Sequence, residues 1–363
     1  MSVSTVTHFI APPPKGDGSD RRLLQHYESI NLGDWLHWTT SCRKLRLLGK
    51  GGQGIVYLGE RQGSDRFTLP VAIKVFSPES YHDDQSYAED MKATARVAGR
   101  VALIQDDNLV DIHNFIEQDG IRLMEMEWVD GFDLRELLTS EMLELSRERL
   151  DPPRMEYIHR VIVTSGPAHP RLKPGIAIQI LRDCLGALAA LHREGLVHGD
   201  LKPSNIMVKR TGNAKIIDIG STMVIGRPSA RRMWSPVYAA PEVLAREDNT
   251  PQSDLASLGY VLIEMLAGRC PFEGLVTIEE LLEAKRTFEK RLPEFLPAEV
   301  ATNDLLLHLC RRLIAADPAK RFPSAQAADL DRKGAADFHR QLVKGDLASE
   351  YENDLRGWLE NLP

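Results

Sequence analysis

Eight consecutive residues, His198-Gly199-Asp200-Leu201-Lys202-Pro203-Ser204-Asn205, bring an acid, a cation and an amide close together in the chain. Asp218 follows, inside Asp218-Ile219-Gly220. An aspartate at 200 can accept a proton from a hydroxyl. Lys202 can sit on a phosphate as a point charge. Asn205 and Asp218 offer the hard oxygens that magnesium prefers. Such a set suits phosphoryl transfer, where positioning and charge neutralisation carry most of the catalysis. Asp, Lys and Asn also cluster where they merely cap turns, so the rest of the chain has to supply the parts that hold a nucleotide.

Those parts lie upstream. Leu45 and Leu47 alternate with charged residues, as in a half-buried strand, and run into Gly49-Lys50-Gly51-Gly52-Gln53-Gly54. A GxGxxG run also fits a dinucleotide-binding turn, but that turn opens a helix and has an acid about twenty residues further on. Here Ile55-Val56-Tyr57-Leu58 is β-branched and aromatic, the composition of a strand. The later position holds Lys74, in Val71-Ala72-Ile73-Lys74. Ile55 after Gly54 also excludes the Lys-Ser or Lys-Thr of a Walker loop. Residues 86–98 are rich in good helix formers, and this helix carries Glu89 and Asp90 about 100° apart around its axis.

In this order the motifs resemble those of protein kinases: glycine loop, VAIK lysine, HGDLKPSN for the catalytic loop and DIG for the magnesium motif. The resemblance covers about residues 44–332 and implies an α+β, two-lobed fold, with a small β-rich lobe and a larger helical one. It implies ATP and Mg²⁺ as cofactors and a Ser or Thr acceptor on a protein substrate. Asp200 would be the base, Lys202 the cation on the transferred phosphate, and Asn205 and Asp218 the metal ligands. Lys74 would hold the α- and β-phosphates, braced by Glu89, with Asp90 as the other choice. Nucleotide contacts are implied at Gly49, Lys50, Gly51, Gly52, Gln53, Gly54, Val56, Ala72 and Met207, and at hinge residues Glu127 and Val129 after the gatekeeper Met126. Asp133 would face the ribose. Glu242, in Ala240-Pro241-Glu242, and Arg321 are the expected buried pair, and Asp254 would brace the catalytic loop. A pseudokinase-like nucleotide-binding scaffold remains the alternative, and a small-molecule kinase on the same fold a third reading.

The chain departs from the family pattern at Gly199, which stands where the usual motif has Arg, and at Ile219, which replaces Phe. That Arg ordinarily anchors an activation-loop phosphate. A phosphate at Ser221, Thr222 or Ser229 would lack this anchor, while Arg231 and Arg232 belong to the same segment. Ser235 replaces the usual Thr near the end of the activation segment.

Composition sets outer bounds. At 363 residues, with 43% hydrophobic and 27% charged residues, the chain is ordinary for a globular protein. A net charge of −7 gives no overall attraction to nucleic acid or anionic membrane. The four cysteines form no CxxC pair, which suggests reduced thiols in the cytoplasm. No signal-peptide layout and no uninterrupted apolar run long enough to span a bilayer is present.

Residues 1–40 are expected as an extension, with Leu23, Leu24, Tyr27 and Ile30 on a helix packed on the following domain and Trp35 and Trp38 beyond it. The kinase domain would run over 41–332, divided at 130, with an insertion at about 141–174. A helical tail would occupy 333–363. Leu347, Tyr351, Leu355, Trp358, Leu359 and Leu362 share one helical face and predict docking on the large lobe. The extension, the insertion and this helix are the candidate docking elements for partners.

Overall fold

The computed structural model describes residues 19–32, 41–226, 234–344 and 351–362. Trp35, Trp38, Ser229, Arg231, Arg232 and Leu347 lie outside them. Helix α1 (Ser19–Leu32) forms as the apolar spacing predicts. Its face is nonetheless solvent-exposed, with Leu23 at 74% and Tyr27 at 66%, so the expected packing on the domain is not observed.

The glycine run folds as a hairpin, with β1 (Ser41–Gly51) antiparallel to β2 (Gly54–Gln62) and Gly51 opposite Gly54. Strand β3 (Thr68–Phe76) pairs on the other side of β2. Helix α2 (Asp84–Val101) starts at an Asp83 capping box, in which the carboxylate accepts from Ser86 N at 2.7 Å. It extends past the expected end at residue 98 to Val101. Strands β4 (Ile112–Gln118) and β5 (Ile121–Glu127) complete a five-stranded antiparallel sheet in the order β1-β2-β3-β5-β4. Just before β4, Leu109 makes an isolated parallel bridge to Ile216. β1 is an edge strand whose Leu45 and Leu47 stay exposed, because no layer covers them among the described residues.

Past the hinge, β6 (Gly131–Asp133) leads into α3 (Leu134–Leu137), capped by the Asp133 carboxylate. The stretch expected as an insertion folds as α4 (Ser140–Arg149), α5 (Pro152–Val161) and a hairpin of β7 (Val163–Thr164) with β8 (Arg171–Leu172). Asp151-Pro152-Pro153 ends one helix and starts the next: Asp151 caps α5, and proline is tolerated at the first helical position, where no N–H partner is needed. Helix α6 (Pro174–Arg193) is the central element, with Ile176, Ile180, Leu181, Cys184, Leu188 and Leu191 buried. By length and composition it could cross a membrane, but its apolar character serves the core.

The segment carrying the HGDLKPSN and DIG motifs follows as β9 (Leu196–Val197), β10 (Ile206–Lys209), β11 (Ala214–Ile216) and β12 (Met223–Val224), with β10 between β11 and β6. Seven helices complete the lobe: α7 (Pro241–Leu244), α8 (Pro251–Ala267), α9 (Ile278–Phe295), α10 (Ala298–Ala301), α11 (Asp304–Ile314), α12 (Ala325–Leu330) and α13 (Ala335–Lys344). In α8 every residue from Ser253 to Ala267 is buried, the signature of a helix enclosed on all sides.

The last helix, α14 (Tyr351–Leu359), docks on this lobe through Tyr351, Leu355, Trp358 and Leu359. Fully buried Trp358 donates its indole N–H to Ser146 Oγ of α4 at 2.8 Å. Tyr157 of α5 donates to Asp354 at 2.6 Å, and Arg210 holds the carbonyls of Leu359 and Leu362. The insertion and the tail are thus packed against each other. Removing one buried Trp alone costs about 3–5 kcal/mol, and a domain this size moves about 2 °C per kcal/mol. Deleting residues 346–363 should lower the melting temperature by at least about 5 °C; an unchanged melting curve would remove the docked tail from the account of stability.

Candidate active site

The sheet and the helical lobe enclose a cleft of about 1190 Å³. Its lining includes Gly49, Lys50, Gly51, Gly52, Gln53, Gly54, Val56, Ala72, Lys74, Glu127, Val129, Asp133, Asp200, Lys202, Asn205, Met207 and Asp218. The structure thus gathers every sequence-predicted site residue except Glu89. Leu48, Val110, Ile217 and Trp234 add apolar wall that the motifs did not mark. Ile217 directly precedes Asp218 and Trp234 directly precedes Ser235, so adjacency to a motif was the available signal.

Strand register aligns the roof. Val56 lies opposite Lys74, and Ala72 lies opposite Met126. Gly54 can have no side chain: a Cβ there would stand 2.0 Å from the Val75 carbonyl oxygen, at a φ of +141°. On the floor, Met207 of β10 pairs with Asp133 of β6. In the hinge, the Glu127 carboxylate is taken by Lys215 and by the Asp111 amide, and the Glu127 N–H donates to the Asp111 carbonyl at 2.9 Å.

Lys74 is buried and pairs with Asp218, Nζ to Oδ1 at 2.7 Å. Burial alone would push the Asp218 carboxyl up. The Lys74 ammonium and the Gly220 amide outweigh it and hold the carboxyl down at about 2. The expected Lys74 partner on α2 is a correction. Glu89 is exposed and accepts from Gln85 one turn earlier, and Asp90 is bound by the Tyr81 hydroxyl at 2.5 Å. Helical phase is the reason: in this register residue 89 turns toward solvent. Among the described residues Asp218 is the one ion-pair partner of Lys74.

Asp200 is held at both oxygens. Lys202 donates to Oδ2 at 2.7 Å and the Ser235 amide to Oδ1 at 2.8 Å. The Lys202 ammonium also reaches Ser235 Oγ at 3.0 Å, so this serine closes a triangle with acid and cation. Asn205 donates its amide N–H to the Asp200 carbonyl at 2.8 Å, which leaves Oδ1 as its acceptor end. With Asp218 Oδ2 it gives two hard oxygen donors in one cleft, a set that fits Mg²⁺.

Buried polar braces hold the loops. The Asp254 carboxylate of α8 accepts from His198 N at 2.8 Å, Gly199 N at 2.9 Å and His192 Nε2 at 2.9 Å. Lys285 of α9 donates to the Val237 carbonyl at 2.6 Å, its ammonium lying over the Tyr260 and Phe272 rings at 4.0 and 4.2 Å. Burial presses the pKa of that lysine well down. Nothing in the sequence near residue 285 marked it, because its partner lies far away in the chain. Arg321 grips Glu242 with two parallel bonds, of 2.6 and 2.8 Å, as the sequence led us to expect.

These groups, gathered between an antiparallel sheet and a helical lobe, define a protein kinase. The family model for the protein kinase domain matches residues 42–331, and the chain belongs to that family. It is similar to the serine/threonine-protein kinase PrkC of Bacillus subtilis (strain 168), at 29% identity over 303 residues, which are 82% of this chain and 40% of that protein. It is also similar to PknD of Mycobacterium tuberculosis (strain ATCC 25618 / H37Rv), at 32% over 286 residues, 77% of this chain and 37% of that one. A further relative is pkn2 of Myxococcus xanthus, at 29% over 293 residues, 78% of this chain and 31% of that one. The chain thus matches about two-fifths or less of the length of these curated relatives.

Breaking one side of a buried ion pair leaves the other charge uncompensated, at about 3–5 kcal/mol. Arg321→Met should therefore lose stability of that order in urea unfolding, with Glu242→Gln,Arg321→Met recovering part of it. Equal stability of Arg321→Met and wild type would contradict the bidentate pair.

Proposed function

We propose that this chain transfers the γ-phosphate of ATP to serine or threonine hydroxyls of a protein substrate. The observation that carries this reading is the Asp200–Lys202–Ser235 triangle in the same cleft as the Lys74–Asp218 pair. The adenine would lie between Val56 and Ala72 above and Met207 below, bonded to the backbones of Glu127 and Val129. Asp133 would take the ribose hydroxyls with the oxygen not used in capping α3. The glycine loop brings backbone amides close to the phosphates, and Lys74 holds the α- and β-oxygens. Asn205 and Asp218 would hold magnesium, which when bound would supply positive charge to offset that of the phosphates. Asp200, oriented by Lys202 and the Ser235 amide, accepts the proton of the acceptor hydroxyl. Lys202 offsets charge on the transferred group. The four free cysteines fit a cytoplasmic setting.

Lys74→Met and Asp200→Asn should each fold and lose phosphotransfer to a generic basic protein by a hundredfold or more, about 2.7 kcal/mol in the barrier. ATP binding without transfer in the wild type would instead make this a nucleotide-binding scaffold.

Regulation by an activation-loop phosphate has little to act on. Gly199 offers no side chain beside Asp200, and its backbone already approaches the Ser221 carbonyl, which a Cβ would meet at 3.0 Å. The dephosphorylated enzyme, verified by mass spectrometry over residues 218–242, should keep its initial rate. A tenfold drop reversed by rephosphorylation of that segment would refute this.

A further inference from the structure

The tip of the glycine loop does something its position does not require. Gln53 turns its side chain inward, and its Oε1 accepts from Lys74 Nζ at 2.5 Å. Its Nε2 donates to Ser221 Oγ at 3.0 Å, one residue past the Asp218-Ile219-Gly220 motif. The backbone is fixed as well, since the Gln53 carbonyl accepts from Ser77 N at 3.0 Å at the end of β3. Glycine at 220 makes room for this: a Cβ there would lie 1.9 Å from Gln53 Oε1 and 2.6 Å from Lys74 Nζ. Gln53, Asp90, Met91 and Gly220 line a small gap between the glycine loop and α2. Asp90 is engaged by Tyr81 instead, and Glu89 faces solvent.

We propose that Gln53 is the positioning residue for Lys74, replacing a carboxylate from α2 and tying the glycine loop to Ser221. An ammonium has three donors. Gln53 and Asp218 take two and leave the third for a phosphate oxygen. A neutral amide does this without adding a negative charge beside the triphosphate, so less of the ammonium's charge is cancelled. The loop, β3 and the segment after Asp218 are thereby locked together without any movement of α2. The inference rests on Lys74 serving the phosphates as proposed above.

The test compares wild type, Gln53→Met, Gln53→Glu, Ser221→Ala and Glu89→Gln in the full chain. Two readouts are taken: titration with a fluorescent ATP analogue in Mg²⁺, and KM for ATP against kcat in phosphotransfer. Gln53→Met keeps the length but offers no amide acceptor. It should weaken nucleotide binding and raise KM for ATP tenfold or more, about 1.4 kcal/mol, with the melting temperature and KM for the protein substrate unchanged. Gln53→Glu restores an acceptor but adds a negative charge beside the triphosphate, and should recover only part of that loss. Ser221→Ala should give a smaller loss that does not add to that of Gln53→Met. Glu89→Gln should match wild type. Unchanged or tighter nucleotide binding in Gln53→Met, or an equal loss in Glu89→Gln, overturns the proposal. If the wild type binds the analogue but transfers no phosphate, the catalytic reading fails while the binding comparison still decides the role of Gln53.

Discussion

A buried carboxylate with no partner is among the costliest things a fold can contain. Asp254, 2% exposed in the middle of the apolar lobe, is therefore satisfied completely or not tolerated. Its partners are the two backbone amides that begin the catalytic loop and the imidazole of His192 at the end of α6. Burial pushes its pKa up, and the His192 contact, with the other donors, more than reverses that. A single side chain thus connects the two central helices to the segment carrying Asp200. Because α8 is enclosed from Ser253 to Ala267, the loop inherits its rigidity, which is what positioning chemistry needs.

The cleft itself depends on two ion pairs with different jobs. Lys74–Asp218 spans from the sheet to the DIG motif. Lys202–Asp200 faces the activation segment through Ser235. Each carboxylate keeps one oxygen engaged by its lysine and receives a backbone amide besides. Their orientation is set before any substrate arrives, so little reorganisation is left for the reaction.

Helices α4 and α5 and the C-terminal helix form one structural unit. Trp358 and Ser146 bond across it, and Arg210 reaches from the tail carbonyls to Asp130 beside the hinge while stacking on Phe132. That arrangement gives α14 an energetic reason to stay: its apolar face and its polar groups are both used. By contrast, α1 has a similar pattern of apolar residues and leaves them exposed.

Much of the site was legible in the sequence because kinase chemistry is local. Asp200, Lys202 and Asn205 fall within six residues, and a glycine hairpin followed by an alternating strand fixes which way Lys74 points. The Glu242–Arg321 pair and the Asp254 brace were readable only because their motifs are distinctive. What the sequence could not settle was helical phase and long-range contact. Glu89 and Asp90 are neighbours in the chain but lie about 100° apart around α2, and only packing of Tyr87 and Met91 against the core decides which one turns inward. The inward turn of Gln53, the grip of Lys285 on Val237 and the exposure of α1 were likewise beyond reach. Residue type and spacing determine which groups can meet, but the identity of the partner depends on how distant elements pack, and that is a property of the folded chain.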